Sequence, residues 1–253
     1  MKHLAIGPGA IGYFSLLGAL DRLHVDGKLE DLESISGASA GALVAFIALH
    51  TKFDFREALK LSMKVPISQL KPRIKNLFQT FGFISRETMK EMITNVFPEM
   101  TFQELHDKHP IKLHIAAYCV ELNKTVYFSV DTSPTMSIID ALCMSVSVPF
   151  LFSSFKHGPW NYLDGASVES APCGHLVGQK YDDVLILKLI YRDTFDIETF
   201  SDYLAFIFNA YFKMRKVYSF PTINIDLDDS NVFDFGITDV SKLQLFTRGY
   251  TLV

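Results

Sequence analysis

Short apolar runs alternate along this chain with longer stretches of helical periodicity. Runs at 3–6, 33–36, 112–120, 126–130, 160–163, 184–190 and 222–225 are apolar or β-branched, end at turn residues and read as strands. Between them, 12–24, 40–50, 55–65, 86–96, 134–147 and 198–218 read as helices. Such alternation predicts a mostly parallel sheet with helices on both faces. Right-handed crossovers make the expected fold class α/β, a three-layer α/β/α architecture. No repeat or low-complexity linker interrupts the pattern, so a single domain over 1–253 is expected.

Several boundaries carry their own chemistry. Ser85 precedes an apolar pattern and suits a helix N-cap, with Glu87 favourable in the first turn. Ser133–Pro134 places a cap before a proline at the first helical position, and Pro149 stops that helix after Ser147. Asp196, Glu198 and Asp202 open the helix expected over 198–218, and Lys213, Arg215 and Lys216 close it, matching the helix dipole.

Composition narrows the function classes. Hydrophobic residues make up 49% of the chain and charged residues 21%, enough for a large core. With a net charge of −4 and dispersed basic residues, no nucleic-acid partner is expected. Three cysteines (Cys119, Cys143, Cys173) make no disulfide framework, which points to a reducing, cytoplasmic setting. Residues 4–20 are uncharged, but four glycines and Pro8 interrupt them, so they are not read as a secretory signal. The apolar stretch 40–49 is far short of the ~20 residues of a membrane span.

Gly37-Ala38-Ser39-Ala40-Gly41 fits G-x-S-x-G in the setting that motif needs, a short strand before it and an apolar helix after it. A serine on such a strand-to-helix turn is exposed as a nucleophile, and the helix N-terminus faces developing negative charge. The bland alternative is a closely packed small-residue turn. Of the eight histidines none sits in a convincing motif for a base, and His106, His109 and His114 lack a partner for a metal site, so no metal is expected. An acidic base fits better. The run 161–166 reads as a strand ending in Asp164, followed by Gly165 and Ala166, and strand C-termini are where open α/β sheets bind ligands. An ordinary Asp-Gly turn is the alternative.

Gly7-Pro8-Gly9-Ala10-Ile11-Gly12 follows the first strand and opens a helix. It matches the dinucleotide fingerprint G-x-G-x-x-G, but the second strand that should end in the ribose-binding acid is absent. Backbone N–H groups of such a loop serve equally well to hold a carbonyl oxyanion.

Together these elements resemble the patatin-like phospholipase family, with its glycine-rich oxyanion loop, then a G-x-S-x-G elbow, then a D-G-G/A aspartate. The resemblance extends through the helix-and-proline run 141–150 and covers about residues 1–190, with the 241–250 segment similar to a closing helix. It implies a Ser39–Asp164 dyad, an acyl-enzyme, no cofactor, and a phospholipid or other acyl-ester lipid as substrate. Two positions depart from the family pattern. Pro8 stands for a glycine and has no N–H, which leaves Gly9 and Ala10 as oxyanion donors, and Ile11 stands for a basic residue. Further on, Ser170-Ala171-Pro172 stands for Asn-x-Pro. Three rivals remain: an α/β-hydrolase with a Ser-Asp-His triad, a nucleotide-binding oxidoreductase, and a patatin-like scaffold of weak activity. No histidine follows His175, which counts against the triad.

One stretch of charge is left over. No Asp or Glu occurs between Glu57 and Glu87, where Lys60, Lys64, Lys71, Arg73, Lys75 and Arg86 interleave with Leu70, Ile74, Leu77, Phe78, Phe81 and Phe83. Pro66, Pro72 and Gly82 break regular structure, so 66–83 is expected to be a flap and a candidate peripheral membrane contact. The alternative is a solvated basic loop whose apolar residues cover the core.

Overall fold

The computed structural model describes residues 1–190, 197–199, 202–203, 206–207, 215–227 and 236–253. Among them a central sheet is built from β1 (His3–Ile6), β2 (Ser34–Ala38), β4 (Lys112–Cys119), β5 (Lys124–Phe128), β7 (Phe155–His157), β8 (Trp160–Asp164), β9 (Val184–Ile190) and β10 (Thr222–Asp226). A separate two-stranded pair joins β3 (Gly82–Ile84) to β6 (Phe150–Phe152). The helices are α1 (Tyr13–Val25), α2 (Ala40–His50), α3 (Phe55–Lys64), α4 (Ile74–Thr80), α5 (Arg86–Thr94), α6 (Phe102–Lys108), α7 (Ile138–Ser145) and α8 (Asp239–Thr251).

The fold class is α/β with a mostly parallel sheet, as the alternation predicts. Strand order runs β10-β9-β1-β2-β4 with all neighbours parallel. β1 is central, and its Leu4, Ala5 and Ile6 are fully buried, which explains an apolar run without alternation. On one face Leu4, Ile6, Ile35, Ile115, Leu187 and Leu189 pack with apolar residues of α1, α2 and α7 in one core. On the other, Ala5, Val184 and Ile186 pack with Ala171, Cys173, Leu176 and Tyr218. α2 is buried nearly all round, as its composition requires.

The far end of the sheet is antiparallel, and its register matters most for function. β5 takes one edge of β4, pairing residues 115–119. The other edge is shared: β2 pairs with 112–116, and β8 continues it with 117–119. β2 runs parallel to β4 and β8 antiparallel, so their C-terminal ends meet head to head where Ala38 faces Ala116 and Asp164 faces Ala117.

Most expected elements appear with shifted ends. Ser85 caps α5 as expected, its side chain accepting the Thr88 N–H at 3.3 Å. The helix expected over 134–147 starts later. Ser137 is its cap, accepting from Asp140 N–H, and not Ser133. The reason is a competing partner: residues 134–138 hydrogen-bond to 100–103, with Gln103 N–H donating to Pro134 O and Ile138 N–H to Met100 O. The 66–83 stretch is more regular than its prolines foretell, since it holds a 3-10 turn (Ile67–Gln69) and α4. The helix expected over 198–218 lies largely outside the described residues.

Candidate active site

Three glycine-bearing turns converge at the C-terminal ends of β1, β2 and β8. β1 and β2 are in register, Ile6 opposite Gly37, so the loop after one lies beside the elbow after the other. Close backbone packing locks the arrangement. A Cβ on Gly41 would sit 2.4 Å from the carbonyl oxygens of both Ile6 and Gly7, and one on Gly37 would sit 2.3 Å from Ala42 Cα. The elbow therefore cannot carry larger residues at these two places.

Ser39 holds φ 55° and ψ −130° between β2 and α2, a conformation rare for any residue with a side chain. It caps α2, where the positive end of the helix dipole lies. Its N–H donates to Ser145 Oγ at 2.9 Å, and its carbonyl accepts from Ala42 N–H at 2.9 Å.

Asp164 is 1% exposed at the end of β8. Oδ1 accepts the Ala166 N–H at 2.8 Å, while Oδ2 is buried with no hydrogen-bond partner among the described residues. Burial pushes the carboxyl up to about 6, against the lowering effects of the neighbouring Ser39 hydroxyl, the Ala166 N–H and the Arg215 charge. The Ser39 hydroxyl is thus near enough to the carboxyl to act on it electrostatically. Gly165 and Ala166 make the turn tight: a Cβ on Gly165 would lie 2.0 Å from Ala116 O.

The loop over 7–12 is held at its ends. Gly7 N–H donates to Leu187 O and Gly12 N–H to Gly9 O, both at 2.8 Å. Among the described residues, the Gly9 and Ala10 N–H groups have no backbone acceptor outside their own helical turn. Ala10 takes a left-handed φ of 42°.

Sequence reasoning missed how Ser39 and Asp164 are held. Ser145 and Ser147, at the end of α7, bind both of them. Beyond the Ser39 N–H on its side chain, Ser145 accepts Gly165 N–H on its carbonyl at 3.0 Å, and Ser147 accepts Asp164 N–H at 2.9 Å. The signal was present as two serines in the otherwise apolar run 141–150, and the structure buries both fully. Arg215 was also missed in this role. Its Nη1 donates to Ala166 O at 3.2 Å.

Among the described residues no histidine hydrogen-bonds to Ser39 or Asp164. The His114 and His175 rings lie 4.4 Å apart between centroids, tilted by 32°, and burial holds them down to about 4 and about 3. No group of three potential metal ligands occurs among the described residues.

Comparison with known proteins relates the chain to others by sequence and by fold. Residues 4–177 match the family model described as patatin-like phospholipase. The chain is 25% identical over 268 residues to the probable lipid hydrolase 463L of Invertebrate iridescent virus 6, covering 98% of this chain and 86% of that one. It is 26% identical over 184 residues to the uncharacterized protein R571 of Acanthamoeba polyphaga mimivirus, covering 68% of this chain and 60% of the relative. VipD from Legionella pneumophila shares the fold with a TM-score of 0.66 at 16% identity, over 98% of this chain and 65% of VipD.

Proposed function

The chain belongs to the patatin-like phospholipase family, and from that premise we propose that it cleaves fatty acyl esters of lipids through a Ser39–Asp164 dyad. The observation that carries this reading is the meeting of a strained serine with a buried carboxylate whose Oδ2 has no hydrogen-bond partner among the described residues. Asp164 takes the Ser39 proton as Ser39 attacks the ester carbonyl. Gly9 and Ala10 N–H groups hold the oxyanion, aided by the N-terminus of α2. The alcohol leaves with the proton from Asp164, and an acyl-enzyme remains. Water, activated by the same carboxylate, releases the fatty acid and restores Ser39.

The tuning of Asp164 supports the role of base. A free aspartate near 3.9 is a weak base at neutrality, whereas one near 6 is ionised at pH 7 and holds a proton far better. We take residues 1–253 as one hydrolase domain, working at a lipid surface through 66–83. No described helix is long and apolar enough to cross a membrane. The test pairs fluorophosphonate labelling with hydrolysis of a lipid panel. Ser39 becomes labelled and at least one acyl ester is cleaved by the parent and not by Ser39→Ala. A protein that takes up no probe and cleaves no ester is a scaffold instead.

A further inference from the structure

α4 buries none of its residues. Ile74, Phe78 and Phe81, on or just after it, are 71%, 79% and 76% exposed. Phe150, distant in sequence, joins them. β3 and β6 pair in parallel with Gly82 opposite Phe150, which places Phe150 across from the residue after Phe81, and it is 59% exposed. Large apolar side chains gathered in water mark an interaction surface.

Two of these rings also sit where the backbone disfavours them. Phe81 has φ 62° and Phe150 φ 64°, the left-handed region in which glycine and asparagine are the low-strain choices. Phe81 ends α4, where one of those two is usual. Neither ring gains burial in return. The other apolar residues of the segment behave differently: Leu70 and Phe83 are buried and anchor it to the molecule.

Charge identifies the occupant. Lys71, Arg73 and Lys75 are exposed on the same segment, no carboxylate lies in the chain from 58 to 86, and no ion pair to these three occurs among the described residues. Exposed aromatic and aliphatic side chains beside unpaired cations complement a bilayer with anionic headgroups. The surface also adjoins the dyad. Phe150 is three residues from Ser147, which holds the Asp164 N–H, within roughly 11 Å of chain.

We propose that Ile74, Phe78, Phe81 and Phe150 form an insertion edge that docks the protein on anionic lipid bilayers, with Lys71, Arg73 and Lys75 against the headgroups. The proposal rests on the lipid-hydrolase reading for its purpose but not for its test. Binding is measured by sedimentation of the full chain carrying Ser39→Ala with phosphatidylcholine vesicles, with and without phosphatidylserine. A ring variant combines Phe78→Ser, Phe81→Asn and Phe150→Asn, and asparagine suits the left-handed backbone, so folding is kept. A charge variant combines Lys71→Gln, Arg73→Gln and Lys75→Gln.

The ring variant loses about tenfold or more in partitioning to both vesicles. The charge variant loses only the preference for phosphatidylserine, by about tenfold or more, and the difference shrinks at high salt. With Ser39 restored, both variants turn over a short soluble ester as the parent does. Either variant binding anionic vesicles as tightly as the parent overturns the proposal, and so does an equal loss on the soluble ester. If the parent cleaves no ester while vesicle binding responds as stated, docking stands and the hydrolase reading falls.

Discussion

At the scale of the residue, Ser39 and Asp164 each hold a state that folding alone disfavours. The Ser39 backbone conformation costs about 1–3 kcal/mol for a residue with a side chain. Asp164 is a carboxyl whose ionised form burial penalises. If the two act as one unit, Ser39→Ala and Asp164→Asn each remove most activity, roughly 10³-fold or more, and the double variant is scarcely worse than either single. A double loss equal to the product of the singles would separate the residues. The raised Asp164 pKa also sets a pH dependence. kcat/KM rises with pH through about 6, and His→Ala changes leave that limb unmoved. The stability effect has the opposite sign. Between the unfolded value of 3.8 and the folded value of about 6, the native state binds more protons than the unfolded one, so stability falls as pH rises through that window. Asp164→Asn therefore stabilises the protein by about 1–3 kcal/mol at pH 8 and by little below pH 4. Denaturant titrations at the two pH values measure it, and equal stabilities at pH 8 would mean that the carboxyl is not perturbed.

At the scale of the element, two helix contacts matter, one beside Ser39 and Asp164 and one between α1 and α8. α7 ends at Ser145, which links the elbow to the Asp164 turn. Ser145→Ala leaves the buried Ser39 N–H without its acceptor, a loss of about 1–3 kcal/mol. On the proposed mechanism kcat falls by about tenfold or more while KM changes little, since the change loosens Ser39 and leaves the substrate's own contacts in place. A KM effect with kcat intact would place Ser145 in substrate binding. The second contact is the crossing of α1 and α8. Ser15 Oγ donates to Leu245 O at 2.8 Å, and a Cβ on Gly249 would come within 1.8 Å of Ser15 O. Gly249→Ala must push α8 away from α1, at about 1–3 kcal/mol or more. Its Tm should drop by several degrees, whereas Gly178→Ala, at a positive φ of 100° but with nothing within 4 Å, tests strain without a clash.

At the scale of the whole molecule, the site is supported from beyond the residues that match the family model. That match ends at 177, yet β1 is flanked on one side by β9, at 184–190, and Gly7 is held by Leu187 O. Leu189 packs within 2.6 Å of where a Gly9 Cβ would be. We therefore expect the full chain to unfold in one cooperative transition. A chain cut after residue 180 would expose the unpaired edge of β1 and aggregate. A soluble 1–180 fragment that labels with fluorophosphonate would show instead that β9, β10 and α8 are a separate unit.

Much of this was written locally in the chain. The parallel sheet followed from alternating strand and helix periods. The elbow, the loop and the aspartate turn were legible because each needs small residues where backbones meet, and Gly37, Gly41 and Gly165 show that need in the contacts a Cβ would make. What periodicity could not convey was set by pairing partners. The start of α7 after its cap Ser137 was decided by residues 100–103, and the order around α4 by hydrogen bonds from Arg73 N–H and Asn76 Nδ2 to Phe83 O in β3. The meeting of Ser39 with Asp164 was decided by β2 and β8 sharing one edge of β4 from opposite directions, a register between residues more than a hundred apart. Ser145 and Phe150 read locally as parts of one apolar run. Only the tertiary structure turns the first inward onto the Ser39 N–H and the second out into water, because a side chain's direction depends on the neighbours that fill or leave the space around it.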